Sequence, residues 1–131
     1  MTSFVARAAQ RGSLAIVSGA RRAEIERVLD RAGLRLFFPL ILGAEEIQHG
    51  KPDPEGYRLA CARLRDRLAG LGPDQCLAVE DSPRGIAAAR AAGMRVVAMP
   101  HTCPVEALHG ADRIYASYDE VKWRDLESLC R

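Results

Sequence analysis

The sequence predicts an α/β fold of three layers, a mainly parallel sheet with helices on both faces, on two observations. Three times a helix-like segment runs into a glycine and is followed at once by a short apolar stretch. Those stretches are apolar at successive positions rather than alternating, the pattern of strands buried on both faces. Helices that alternate with such strands make a parallel sheet.

The elements follow in order. Phe4 to Gln10 reads as a helix before Gly12, and Leu14-Ala15-Ile16-Val17 as the first strand. Ile25, Val28, Leu29 and Ala32 keep the i, i+3, i+4, i+7 spacing of one helix face, stop at Gly33, and lead to the strand Leu40-Ile41-Leu42. Tyr57, Cys61, Leu64, Leu68 and Leu71 recur at spacings of four and three, an amphipathic helix whose other face carries Arg58, Arg63, Arg65 and Arg67. That arginine run reads as a solvated face. After Gly72-Pro73, Cys76 to Val79 forms a strand. Ile86 to Ala92 is a helix ending at Gly93, before the strand Val96 to Met99. Each glycine suits the left-handed residue that follows a helix. Arg113 to Ala116 is a last strand and Asp125 to Leu129 a last helix. No linker or repeat divides the chain, so residues 1–131 are expected to form one domain.

Composition narrows the class. Nineteen basic against seventeen acidic side chains leave a net charge of +2, too even for a general nucleic-acid binder. No stretch approaches the roughly 20 apolar residues that span a bilayer. The start lacks the basic and apolar regions of a signal peptide. Cys61, Cys76, Cys103 and Cys130 lie far apart with no CxxC pair. They read as reduced thiols, and the protein as cytoplasmic. His49, His101 and His109 are scattered and receive no catalytic role.

Ligands of such sheets bind at the carboxyl ends of the strands. Ser18-Gly19 follow the first strand, Glu80-Asp81-Ser82-Pro83 follow the strand ending at Val79, and Gly50-Lys51-Pro52-Asp53-Pro54 fill the loop before the arginine-rich helix. A serine hydroxyl and a glycine amide at a helix start can donate to phosphate oxygens, and a lysine ammonium is a compact charge for the same anion. Adjacent carboxylates suit a hard cation such as Mg²⁺. Bland readings stand beside these: Ser18 equally reads as a cap for the helix beginning near Arg21. Ser82-Pro83 reads as an N-cap with proline in the first turn, and Asp53-Pro54 as a helix opening. Lys51 is different. The chain has seventeen arginines and two lysines, so a lysine in a Gly-Lys-Pro turn marks a place where a guanidinium does not fit.

Three segments, LAIVSGA (14–20), GKPDPEGY (50–57) and LAVEDSPRGIAAARAAGMRVVAM (77–99), carry a family likeness. Over about residues 5 to 121 the chain resembles the haloacid dehalogenase (HAD) superfamily, in the branch of β-phosphoglucomutase and phosphoglycolate-phosphatase-like enzymes. The resemblance implies a three-layer Rossmann-like core and a Mg²⁺-dependent phosphatase or phosphomutase of small phosphorylated metabolites. It implies that Ser18, Gly19 and Lys51 hold phosphate, with Ser18 and Lys51 serving catalysis. It also implies that Asp81 ligates Mg²⁺ with Glu80 as a ligand or close partner.

The family's first strand ends in DxDxT or DxDxS, whose first aspartate is the nucleophile. None of the eight aspartates here has another two positions on. The expectation is therefore an incomplete core, lacking the nucleophile strand and the cap domain, and inactive alone. The alternative is a non-catalytic binding or assembly module that kept the fold. In the family the absent strand lies between the strands ending at Val17 and Val79. Either those two pair directly, in a rearranged sheet, or self-association or strand exchange fills the place.

Overall fold

A computed structural model describes residues 2–130 of the chain. Its elements are α1 (Thr2–Ala9), β1 (Ala15–Val17), α2 (Arg22–Ala32), β2 (Leu40–Leu42) and α3 (Glu55–Arg65) in the first half. The second half adds β3 (Leu77–Glu80), α4 (Pro83–Ala91), β4 (Arg95–Ala98), β5 (Arg113–Ile114) and α5 (Trp123–Leu129). Strands and helices alternate and every strand pairing is parallel, as the apolar runs predict.

Three layers follow from where the side chains go. On β4, Val96 and Ala98 enter one core with Tyr57 and Cys61 of α3 and Ile86, Ala88 and Ala89 of α4. Val97, with Met99 just beyond the strand, enters another with Leu126 of α5 and Phe4 of α1. On β1, Val17 packs on the α3/α4 side and Ile16 among Val5, Ile25, Leu29 and Ile41. Successive residues of a strand point to opposite faces, so runs apolar throughout are what a sheet covered on both sides requires.

Two of the three helix stops use a left-handed glycine. Gly33 has φ +69° and Gly93 φ +83°, and the Met94 N–H reaches back to Ala89 O at 3.0 Å. Gly12 differs from the sequence expectation: α1 ends at Ala9 and the chain leaves through a turn without a left-handed residue there. A second correction concerns α3, which stops at Arg65 rather than running to Leu71. The strands it covers are three or four residues long, so a longer apolar stripe would have nothing to pack on. Leu68 is accordingly exposed, and Gly70 at φ +82° turns the chain back.

The strands form two sheets, β1–β2 and β3–β4–β5, and among the described residues β1 and β3 do not pair. Direct pairing, one of the two outcomes left open by the sequence, is thus not what the chain adopts. Two helices span the sheets instead. On one face, α1 sends Val5 into the β1–β2 core and Phe4 onto Tyr118 and Trp123, with centroids 4.9 and 5.1 Å apart. On the other, α3 rests Gly56 against Val17 and packs Tyr57 and Cys61 with Ala78 of β3.

Candidate functional site

The carboxyl ends of β1 and β3 and the loop entering α3 meet at one end of the molecule. There Ser18, Gly19, Lys51, Ser82 and Arg84 line one cleft of about 460 Å³, together with His49 and Asp53. Glu80 and Asp81 open on a neighbouring cleft of about 490 Å³, with Met99, His101 and Tyr118 on its walls.

Lys51 and Glu80 join these clefts. The ammonium Nζ donates to Glu80 Oε1 at 2.6 Å. The Tyr57 hydroxyl donates to the same oxygen. Glu80 is 6% exposed, and a carboxylate so deep requires charge-assisted partners. Burial, then the Glu80 charge, push the Tyr57 phenol far above its usual range, so it stays a donor. The other side of the carboxylate is closed by Gly85, where a Cβ would lie 1.8 Å from Oε2. A glycine in the first turn of α4 is what lets the strand end its buried run in glutamate.

The loop carrying Lys51 is pinned at several points. The Lys51–Pro52 peptide is cis. Arg84 Nη2 donates to the Lys51 carbonyl at 2.6 Å, tying the loop to the start of α4. The Glu55 carboxylate accepts from the N–H groups of Gln48 and His49 and contacts His49 Nδ1 at 3.0 Å. The His49 side chain, then its backbone N–H and that of Gln48, hold the Glu55 carboxyl below the usual carboxylate range. Asp53 Oδ1 accepts from Glu55 N at 2.9 Å, opening α3 as its sequence predicts.

Ser18 does not cap α2. Its Oγ accepts from Ala20 N at 3.1 Å, and α2 begins four positions after it. The N–H of Arg22, at the start of α2, is taken by Glu45 at 2.9 Å. What remains toward the cleft is the Ser18 hydroxyl and the exposed Gly19, whose Cα has no neighbour within 4 Å of a built Cβ. Ser82 caps α4 by accepting from Gly85 N at 3.1 Å, with Pro83 following.

This layout matches known proteins. Residues 1–93 match the haloacid dehalogenase-like hydrolase family. The chain belongs to that family. A validoxylamine A 7'-phosphate phosphatase of Streptomyces hygroscopicus subsp. limoneus is 36% identical over 110 residues, which are 84% of this chain and 49% of that protein. Fructose-1-phosphate phosphatase YqaB of Escherichia coli is 38% identical over 87 residues, 66% of this chain and 44% of that one. A HAD family hydrolase of Deinococcus radiodurans, solved with bound phosphate and sodium, superposes with a TM-score of 0.81 at 30% identity, covering 98% of this chain and 58% of that chain. The chain spans about half the length of the curated relatives it matches. Those relatives are phosphatases of small phosphorylated compounds, and the fold is the Rossmann-like α/β core of the HAD proteins.

Among the described residues no group of three or more His, Cys, Asp or Glu side chains is placed to hold a metal ion. Glu80 is committed to Lys51 and Tyr57, which leaves Asp81 as the exposed carboxylate of the pair. Mg²⁺ is commonly held by one or two carboxylates with waters and phosphate oxygens filling the rest of its shell, and Asp81 is the carboxylate of the pair that is free to serve in that way.

Tyr57, Arg84, Glu55 and Gly85 were missed in the sequence. Tyr57 lies on the apolar stripe of α3, and the one signal was chemical: a buried tyrosine hydroxyl needs a partner. For Gly85 the signal was a glycine inside a helix, unfavourable by about 1 kcal/mol against alanine unless something requires it.

Proposed function

We propose that this chain is the phosphate-holding part of a HAD phosphohydrolase acting on small phosphorylated metabolites, with residues 1–131 as one domain. The observation that carries this reading is the Lys51–Glu80 pair at 2.6 Å beside the Ser18 cleft. Glu80 orients the Lys51 ammonium, and Tyr57 keeps the carboxylate in place. Lys51, the Ser18 hydroxyl and the Gly19 amide then bind phosphoryl oxygens, and Lys51 stabilises charge developing on them. Asp81 would ligate Mg²⁺, which when bound would offset charge on the phosphoryl oxygens. The setting proposed is cytoplasmic, with no nucleic acid or membrane partner; no helix among the described residues is long and apolar enough to cross a membrane.

With no DxD pair among its aspartates, the chain alone is expected to be inactive. The test is hydrolysis of p-nitrophenyl phosphate with Mg²⁺, beside Asp81→Asn, with calorimetric titration of phosphate. A folded chain that binds phosphate and does not hydrolyse the ester supports the reading. Hydrolysis lost in Asp81→Asn overturns the mechanism, and a folded chain that binds no phosphate overturns the site.

One observation favours the second reading, a non-catalytic assembly module. The open edges of β1 and β3 expose backbone that a further strand would satisfy. On that reading the edges are covered by self-association with strand exchange between copies. A monodisperse monomer in light scattering would exclude the exchange of strands.

A further inference from the structure

Cys61 and Cys76 are fifteen residues apart and sit on different elements, yet their Sγ atoms are 3.6 Å from each other. Cys61 lies in α3 and is 5% exposed; Cys76 immediately precedes β3 and is half-buried, so the pair is reached from the Cys76 side. Both backbones are fixed. Cys61 is within the helix, and Cys76 donates to Pro73 O at 3.0 Å and accepts from Arg95 N at 3.2 Å. A disulfide has its sulfurs about 2.05 Å apart, so the two must close by about 1.5 Å.

The pair is in register with the proposed site. Tyr57 is one helical turn before Cys61, and Glu80 four residues after Cys76. The α3–β3 contact is therefore fastened by a hydrogen bond at one end and faced by two thiols at the other. The Cys76 S–H, and after burial's opposing effect the Arg65 guanidinium, hold the Cys61 thiol below its usual range. The thiolate is the reactive form.

We propose that Cys61 and Cys76 form a reversible dithiol–disulfide site, oxidised by hydrogen peroxide and stapling α3 to β3. The Cys61 thiolate attacks a peroxide oxygen, the O–O bond breaks, and a sulfenic acid forms as hydroxide leaves and takes up a proton to give water. Cys76 sulfur then attacks the sulfenic sulfur; the S–S bond forms, and the hydroxyl leaves as water with the Cys76 proton. Two thiols are oxidised by two electrons, one peroxide is reduced to two waters, and a small dithiol reverses the change. The staple closes a loop that holds the Gly70 turn, and loop closure in the unfolded chain stabilises the folded one.

The test uses the full chain, with no ligand. The folded protein is treated with hydrogen peroxide, alkylated and digested after Arg and Lys without reduction. The expected product links residues 59–63 to residues 68–84 with loss of two hydrogens. Its melting temperature rises by several degrees, and dithiothreitol restores both mass and melting. The Cys103→Ser/Cys130→Ser double variant keeps the link and the shift. A link from Cys76 to Cys130 or to Cys103 would overturn the proposal. So would a peroxide-treated folded chain in which Cys61 and Cys76 are both alkylated, or carry sulfinic acid.

Discussion

An added Cβ at Gly85 would lie 1.8 Å from Glu80 Oε2, so the first turn of α4 closes directly over the carboxylate that holds Lys51. The carboxylate cannot swing away without leaving both Lys51 and Tyr57. Gly85→Ala is therefore expected to destabilise the fold by about 2 to 4 kcal/mol, against an intrinsic helix preference of about 1 kcal/mol in its favour. The readout is a lower urea midpoint. Gly19→Ala, with no atom within 4 Å of the new Cβ, should stay within about 0.5 kcal/mol of the parent.

The buried Tyr57 hydroxyl carries a pH dependence. Burial, then the Glu80 charge, raise its pKa in the folded state above the ordinary value of about 10. Its stabilisation is complete below about pH 10. Above that the unfolded chain releases the phenolic proton and the folded chain keeps it, so stability falls by up to about 1.4 kcal/mol per pH unit. Tyr57→Phe loses about 1 kcal/mol at neutral pH, the worth of one hydrogen bond, and has a flatter decline above pH 10. Urea unfolding of both proteins at pH 8 and pH 11 gives the comparison. An equal decline in the two would remove Tyr57 from the account.

The legible parts of the molecule are those written in adjacent residues. The strands announce themselves because β1 to β4 are apolar on both faces. Lys51 stands out because seventeen of the chain's nineteen Lys and Arg residues are arginine. The hidden parts are contacts between distant elements. Nothing near Cys61 points to Cys76, and nothing in the stripe from Tyr57 to Leu71 says that the sheet beneath it ends at Arg65. The role of Tyr57 was hidden for the same reason, since its partner is twenty-three residues away.

The choice of lysine at position 51 makes a further prediction, resting on the proposed phosphate role. Nζ sits 2.6 Å from Glu80 Oε1 and 5.1 Å from the Tyr57 ring centroid, while Gly85 closes the far side of the carboxylate. A planar guanidinium seeks both oxygens of a carboxylate, and here one of them is covered. Lys51→Arg is expected to keep its charge, fold normally by circular dichroism, and bind inorganic phosphate at least about tenfold more weakly, a difference of about 1.4 kcal/mol. Unchanged affinity in calorimetry would mean that charge alone suffices at this position.

The separation of the two sheets predicts an uneven pattern of amide exchange. Ser18 N–H bonds Leu42 O, so the alternation of a strand turns the Val17 N–H away from β2. Arg95 and Met99 donate to Cys76 O and Glu80 O, which turns Leu77 and Val79 away from β4. Val79 is also 39% exposed, although it sits inside an apolar run. By contrast Val97 is fully buried and pairs with β3 and β5. Hydrogen exchange of the monomer should therefore be at least about 100-fold faster at Val17 and Val79 than at Val97, because only the last requires core opening. If copies exchange strands, protection at Val17 and Val79 rises with protein concentration while Val97 stays unchanged. Equal protection at all three in a dilute monomer would mean that β1 and β3 are paired in solution, and both the open-edge geometry and the assembly reading would fall together.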